Sequence, residues 1–421
     1  MNVRRLIIAS VLAAALVLAL GAYAVIVFNR LDETSIDPRV MVSGSPELIE
    51  RGAYLARIGD CISCHTRPGG AAYAGGRAVE TPFGAVFAGN LTPDDATGLG
   101  RWNADEFWRA LHHGRSRDGR LLYPAFPYTD YTHVTRGDAD AIFAFLRSLQ
   151  PVTQPTPAPT LRFPYNTQAA LAVWRALYFR PAKTDVALDR GAYLVRGLGH
   201  CGACHTPRDA LGGPLKDRPL AGALVQGENW WAPSLASSRQ AGMADWPVAD
   251  IVALLTDGVS PRGGVSGPMA EVVFASLQHL TPQDARAMAE WLRALPPSSD
   301  PVAKSKAIPT AVMARGGEVY RDQCAQCHGD EGLGKAGAFP ALAGNRAVRM
   351  AEPLNLIQIV LHGGYLPATQ GNPRPFGMPP FRQTLSDVDV AAVLSFIRGS
   401  WDNRAGRVDV VDVHQVRERR G

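Results

Sequence analysis

A pattern of two cysteines followed by a histidine occurs three times in this chain of 421 residues. It reads Cys-x-x-Cys-His at residues 61–65, 201–205 and 324–328, and it uses all six cysteines of the chain. Two thiols at this spacing can form thioether bonds to the two vinyl groups of one haem, and the histidine can then supply an axial nitrogen to the iron. The pattern therefore predicts three covalently bound haem c groups. The predicted attachment residues are Cys61, Cys64, Cys201, Cys204, Cys324 and Cys327, and the predicted axial residues are His65, His205 and His328.

Other uses of paired cysteines agree less well with this pattern. A structural zinc site takes four Cys or His ligands from paired knuckles. A redox-active Cys-x-x-Cys pair is typical of a βαβ context, which the surrounding sequence does not show. Structural disulfides would not require a histidine after every second cysteine.

A methionine on the second face of the iron raises the potential and suits electron transfer. In the third repeat we expect Met378, in a loop stiffened by Pro379 and Pro380, with Met350 as the alternative. In the second repeat we expect Met269. Its alternatives are Met243 and Met288, and the second of these has the spacing of a core helix residue.

The first repeat has no methionine after its motif, and Phe126 occupies the corresponding loop. Because phenylalanine cannot bind iron, we expect His133 as the sixth ligand of this haem. The alternatives are an open or water-bound iron, or His112 or His113, which we expect to be exposed or to face the haem propionates.

Each repeat needs helices that hold its haem motif, and their start signals recur. An Arg-Gly pair at 51, 190 and 315 opens each repeat, and the glycine permits a close helix crossing. Thr135, Thr281 and Ser386, each followed three residues later by Asp, predict the start of a closing helix.

The N-terminus contains 23 uncharged, mostly apolar residues, 6–28, after Arg4 and Arg5. This length predicts a transmembrane helix, and the basic end predicts that the rest of the chain lies in the periplasm. A cleaved signal peptide is the alternative, because Ala22-Tyr23-Ala24 resembles a cleavage site.

This order of parts resembles a class I cytochrome c domain repeated three times, which implies an all-α fold behind the N-terminal transmembrane helix. The short helix predicted from Gln168 would either pack between domains or contact the membrane surface. The expected divisions are an anchor or signal peptide at 1–30, a first domain at 45–150, a linker with this amphipathic helix at 151–183, a second domain at 184–297, a linker at 298–310, a third domain at 311–401 and a polar tail at 402–421.

Further motifs narrow the resemblance. They are residues 81–84 (Thr-Pro-Phe-Gly), 90–94 (Asn-Leu-Thr-Pro-Asp), 98–102 (Gly-Leu-Gly-Arg-Trp), 123–128 (Tyr-Pro-Ala-Phe-Pro-Tyr) and 161–166 (Leu-Arg-Phe-Pro-Tyr-Asn). They are similar to the triheme cytochrome c subunits of bacterial membrane-bound periplasmic dehydrogenases, over nearly the whole chain.

The resemblance implies an electron-transfer subunit of the inner membrane, with a catalytic partner that oxidises substrate and ubiquinone as the acceptor. The anchor and Phe126 favour a partner of the molybdenum hydroxylase type with an iron–sulfur subunit. A quinoprotein or flavoprotein partner is the alternative.

The sequence shows no phosphate loop or nucleophile constellation, so we expect no catalysis by this chain itself. The formal charge of +5 ignores the haem propionates and gives no reason to expect nucleic acid binding. Two other functions remain open: a haem subunit or electron donor of a terminal oxidase, and a peroxidase that uses an open first haem.

Overall fold

The computed structural model describes residues 3–30, 44–183, 188–225, 227–298 and 306–419 and is mostly helical. The helices are α1 (Val3–Arg30), α2 (Pro46–Ile58), α3 (Cys61–Cys64), α4 (Ala104–His113), α5 (Tyr128–Tyr131), α6 (Arg136–Ser148), α7 (Gln168–Tyr178), α8 (Arg190–Ala192), α9 (Gly202–His205), α10 (Val248–Thr256), α11 (Pro268–Ala275), α12 (Pro282–Arg293), α13 (Thr310–Gln323), α14 (Ala325–His328), α15 (Arg346–Arg349), α16 (Leu354–His362), α17 (Asp387–Gly399) and α18 (Val410–Glu418). A π-helix, Tyr193–Leu198, continues α8, and a 3-10 turn, Leu277–His279, follows α11.

The mostly helical fold agrees with the all-α fold expected, and short strands add four antiparallel two-stranded ladders among the described residues. The ladders pair β1 (Ala78–Thr81) with β2 (Gly84–Phe87), β3 (Ala223–Val225) with β4 (Trp230–Ala232), β5 (Val259–Ser260) with β6 (Gly263–Gly264), and β7 (Gly364–Tyr365) with β8 (Gly377–Met378). Strands of two to four residues carry too little alternation to be recognised in a sequence.

The opening and closing helices of every repeat cross at a glycine. A Cβ atom on Gly52 would lie 1.8 Å from the carbonyl oxygen of Ala141 in α6. Gly191 and Gly316 approach the closing helices of their own repeats in the same way, at 2.4 and 2.2 Å. No side chain fits at such distances, so the crossing predicted from the Arg-Gly pairs is confirmed.

The closing helices α6, α12 and α17 begin where their caps predict. The side chains of Thr135, Thr281 and Ser386 each accept a hydrogen bond from the backbone N–H three residues on. At Ser386 the carboxylate of Asp389 also accepts from the backbone N–H of Ser386, which completes a capping box.

An ion pair ties each opening helix to the start of its closing helix. The pairs are Arg51–Asp138, Arg190–Asp284 and Arg315–Asp389, with N–O distances of 2.5, 2.6 and 2.7 Å. The sequence marks the arginine and the aspartate of each pair as repeat signals, but their pairing is seen only in the structure. The signal that could have revealed the pairing is the recurrence of both residues at matching places in three repeats.

The chain forms two compact units. Unit 1 comprises Met1–Leu55, His65–Ala187 and Asp209–Gly213, and unit 2 comprises Ala56–Cys64, Leu188–Arg208 and Pro214–Gly421, within the described residues. The second and third repeats thus share unit 2, which differs from the three separate domains expected. The boundary falls inside the first motif, between Cys64 and His65. Residues 299–305 of the predicted second linker lie outside the described residues.

The segment after Trp401 packs onto the third repeat and differs from the polar tail expected there. Val408, Val413 and Val416 are buried in one cluster with residues of α16 and α17. Burial of these valines stabilises α18 against both helices. The three-residue spacing of Val413 and Val416 is a helical signal that the charged composition of the segment concealed.

Helix α1 carries the apolar segment of the N-terminus. Its residues Ile7–Arg30 make it the one helix in the described part of the chain that is long and apolar enough to cross a membrane. The helix extends two residues beyond the predicted apolar stretch and ends at Arg30.

Candidate haem sites

The cysteines of all three motifs lie in or beside single helical turns, α3, α9 and α14. None of the six forms a disulfide, and the second cysteine of each pair (Cys64, Cys204 and Cys327) is exposed. Burial raises the pKa of Cys61 to about 12 and that of Cys324 to about 11, with smaller contributions from neighbouring groups. The raised pKa means that neither thiol is poised as a thiolate.

The three motif histidines are held by the same type of hydrogen bond. Each Nδ1 contacts a backbone carbonyl oxygen, which can only accept, so Nδ1 carries the proton and Nε2 is left unprotonated. The bonds are His65 to Gly89 at 2.6 Å, His205 to Pro233 at 2.7 Å and His328 to Pro340 at 3.0 Å. Burial lowers the pKa of all three imidazoles, which favours the neutral form that binds metal.

This donor set fits haem c at each of the three places. Two thiols outside any disulfide stand next to an imidazole whose outer nitrogen has the correct tautomer and whose ring is fixed by a backbone contact. A bare metal ion fits less well, because the described residues contain no group of three or more His, Cys, Asp or Glu side chains that could hold one.

The structure separates the candidate methionines by burial. Met269, near the start of α11, and Met378, in β8, are partly buried, whereas Met243, Met288 and Met350 are buried among protein atoms. A side chain already enclosed by protein has no free face to offer a haem. This difference favours the two methionines predicted from the sequence.

Glycines shape the loops that carry both partly buried methionines. Gly267, two residues before Met269, has φ +58°, and a Cβ there would lie 2.6 Å from the Trp230 ring. Gly363 has φ +68°, and a Cβ there would lie 2.4 Å from the carbonyl oxygen of Met378. Only glycine meets both the positive φ and the close contact, so each loop has one defined path.

The first repeat places His133 in a partly buried position just before the cap of α6. The expectation that His112 and His113 are exposed is wrong, because only 4 % and 6 % of their surfaces are accessible. Helix α4 ends at Gly114, with φ +61° and a Cβ position 2.6 Å from the Tyr128 ring, so this ring closes over the end of the helix.

Burial lowers the pKa of His112 to about 4 and that of His113 to about 3. Both rings are therefore neutral at physiological pH, and the Nδ1 atom of each is buried with no hydrogen-bond partner. Phe126 contacts Tyr131 with ring centroids 5.4 Å apart and offers no ligand atom.

Comparison with known proteins identifies the family. Residues 313–401 match the cytochrome c family model. The chain is 39 % identical over 398 residues to the cytochrome c subunit of the quinone-type alcohol dehydrogenase of Gluconacetobacter polyoxogenes, covering 88 % of this chain and 84 % of that protein. It is 38 % identical over 395 residues to the gluconate 2-dehydrogenase cytochrome c subunit of Pantoea cypripedii, covering 88 % of this chain and 90 % of that protein. Identity is 40 % over 394 residues with one of the subunits of the nicotinate dehydrogenase of Pseudomonas putida, covering 90 % of this chain and 32 % of that protein. The chain therefore belongs to the family of electron-transferring cytochrome c subunits of dehydrogenase complexes.

Proposed function

We propose that this chain is a triheme subunit that relays electrons from a catalytic dehydrogenase subunit to ubiquinone. The observation that carries the proposal is the identical hydrogen bonding of His65, His205 and His328, because each arrangement leaves Nε2 ready to bind iron. When bound, three haem c groups would supply one-electron redox chemistry at three places on one polypeptide.

The chain's own residues position these groups. The cysteines attach them, the histidines present Nε2 from a fixed ring, and Met269 and Met378 supply thioether ligands to the second and third irons. His133 is the ligand that we propose for the first iron. Within unit 2, helix α11 packs against α3, so the helix with Met269 contacts the turn with the first pair of cysteines. This contact supports a relay between neighbouring sites.

The relatives and the sequence support the acceptor and the catalytic partner that we propose. One relative is named as a quinone-type alcohol dehydrogenase subunit, which supports ubiquinone as the acceptor. For the partner we propose a molybdenum hydroxylase-type enzyme with an iron–sulfur subunit, on the grounds of the anchor and of Phe126. A quinoprotein or flavoprotein is the alternative.

We further propose that α1 anchors the chain in the inner membrane and that the haem-binding units lie in the periplasm. The apolar segment Ile7–Arg30 and the basic Arg4 before it support this orientation. A mature N-terminus near Val25 in the membrane-extracted protein would overturn the anchor.

Copurification with mass spectrometry tests the function. The chain should bring a larger substrate-oxidising subunit with it, and deletion of its gene should abolish substrate-dependent reduction of quinone. Copurification with a polytopic haem–copper protein would instead establish the oxidase alternative. Peroxide turnover by the purified chain would establish the peroxidase.

A further inference from the structure

Helix α7 exposes an apolar ridge next to the end of α1. The ridge consists of Ala169, Val173 and Leu177, which lie at helical spacings of four residues, and all three are exposed. Val173 is 47 % and Leu177 is 56 % accessible, and Phe163, shortly before the helix, is 81 % accessible. Leu171 and Arg175, on the opposite face of α7, are buried, so the ridge is not part of the core.

The end of α1 is fastened to α7 by polar contacts within unit 1. Asn29 donates from Nδ2 to the carbonyl oxygen of Ala172 at 3.0 Å, and its Oδ1 accepts from Nε of the buried Arg175 at 3.1 Å. The guanidinium of Arg180 lies 4.3 Å from the centroid of the Phe28 ring. These contacts hold α7 at the point where the apolar span of α1 ends.

The position of the ridge follows from helical geometry. Successive residues of an α-helix are rotated by about 100°, so Ala169 and Val173 lie roughly 60° and 100° around α7 from Ala172, on the side away from Arg175. The ridge therefore faces away from the contact with α1, on a helix that the contact holds at the end of the apolar span. A helix with one apolar exposed face at the end of a membrane span has the form of an interfacial helix.

Exposed basic side chains flank the ridge along the chain and end α1. Arg162 and Arg180 are exposed on either side of the ridge in sequence, and Arg30 is exposed at the end of α1. Guanidinium groups bind phosphate oxygens through paired hydrogen bonds, and arginine stems can lie along apolar surface. Apolar residues next to arginines match the acyl and phosphate layers of a lipid surface.

We propose that the α7 ridge and Phe163 lie in the headgroup region of the lipid bilayer, where they hold unit 1 against the membrane surface. The inference rests on the proposed role of α1 as an anchor. The place of α7 at the end of the apolar span of α1, together with the exposed arginines before and after the helix, favours lipid over a protein partner as the occupant.

Photocrosslinking of the full-length holoprotein in phospholipid nanodiscs tests the proposal. A benzophenone amino acid replaces Leu177 in one variant and Phe163 in a second, and exposed Ser148 at the end of α6 is the matched control. Covalent haem content verifies that each variant is folded. We expect phospholipid adducts at positions 177 and 163, and none above background at position 148.

The alternative outcomes separate this proposal from the anchor itself. An adduct with a second copy of the chain or with a copurified subunit would identify a protein interface and overturn the proposal. A chain that resists alkaline carbonate extraction but yields no lipid adduct would overturn it while leaving the anchor intact. Release by carbonate would overturn the anchor and this inference together.

Discussion

Asn355 and Trp231 join the third repeat to the second by two hydrogen bonds of 2.8 Å that run in opposite directions. The Asn355 side-chain amide donates to the carbonyl oxygen of Trp231 and accepts from the Trp231 backbone N–H. Trp230, the residue before it in β4, packs against Gly267, which lies two residues before the proposed ligand Met269. One side chain of α16 thus supports the strand that shapes the second haem site.

Replacement of Asn355 should loosen this part of unit 2. Asn355→Ala removes both hydrogen bonds and leaves partly buried backbone groups without partners, at a cost of roughly 1–3 kcal/mol in the free energy of unfolding. Asn355→Asp keeps the shape but loses the donor to the Trp231 carbonyl, so it should also destabilise. Denaturant unfolding of the holoprotein, followed by haem absorbance, measures both. An Asp variant as stable as the native chain would show that shape alone matters at this position.

The glycine crossings predict opposite outcomes for two alanine substitutions in unit 1. Gly52→Ala forces a Cβ against the Ala141 carbonyl, so α2 and α6 must separate, and we expect a loss of about 1–3 kcal/mol or more. Gly137 lies near the start of α6 with nothing within 4 Å of its Cβ position. Gly137→Ala should therefore stabilise by about 0.5–1 kcal/mol through helix propensity. Thermal unfolding of the two variants checks the sign of each effect, and a Gly52→Ala variant as stable as the native chain would contradict the crossing.

Local signals in the sequence predicted the parts of the fold that local chemistry determines. The caps at Thr135, Thr281 and Ser386 and the crossing glycines act through neighbours a few residues away or through a backbone contact that any side chain would block. The haem motifs are also local signals, because the two thiols and the imidazole of each motif lie within five residues of the chain.

The features that escaped prediction depend on distant residues. The pairing of Asn355 with Trp231 joins positions 124 residues apart. The burial of His112 and His113 depends on the Tyr128 ring, which closes over Gly114. The docking of α18 depends on a surface of α16 and α17 that no local pattern describes. The sequence predicts the amphipathic helix that carries the α7 ridge. Its apolar spacing does not show that α1 is the neighbouring helix.

The capping box of α17 makes a pH-dependent contribution to stability. The hydroxyl of Ser386 and, to a smaller extent, Arg315 hold the pKa of Asp389 below its usual value. A lowered pKa means that the unfolded chain binds the proton more readily, so the contribution is present above about pH 4 and is lost as pH falls further.

Asp389→Asn should therefore be less stable than the native chain at neutral pH, by about 0.5–1 kcal/mol, and the gap should close in acid. Asp322→Asn, at an exposed carboxylate of α13, is the control and should show no such gap. Unfolding curves at neutral and acidic pH give both differences. If the difference in the free energy of unfolding between the native chain and Asp389→Asn persisted in acid, the carboxylate charge would not be the cause of that difference.

The burial of the methionines predicts which substitutions alter a haem. Met378→Leu and Met269→Leu remove a thioether while keeping the volume, so each should change the optical spectrum of one haem and lower its potential. Met350→Leu, Met243→Leu and Met288→Leu are matched core controls, which should cost less than about 1.5 kcal/mol and leave the spectra unchanged. Spectroelectrochemical titration separates the two groups. If replacing a buried methionine changed a haem spectrum, while replacing Met269 or Met378 in the same repeat did not, the buried methionine would be the ligand.

The first haem gives the sharpest test, because three histidines besides His65 lie in its repeat and only one of these three is proposed as the sixth ligand. His133→Ala should convert one haem of the three from low spin to high spin and allow CO to bind the reduced form. His112→Ala removes a buried neutral ring next to Trp108, with ring centroids 4.3 Å apart, and should lower stability without changing the spin state. EPR and CO-difference spectra of both variants decide between them. If His133→Ala stays low spin while His112→Ala becomes high spin, the buried imidazole is the ligand. If the native first haem already binds CO, neither histidine holds the sixth position, and the peroxidase alternative gains its open iron.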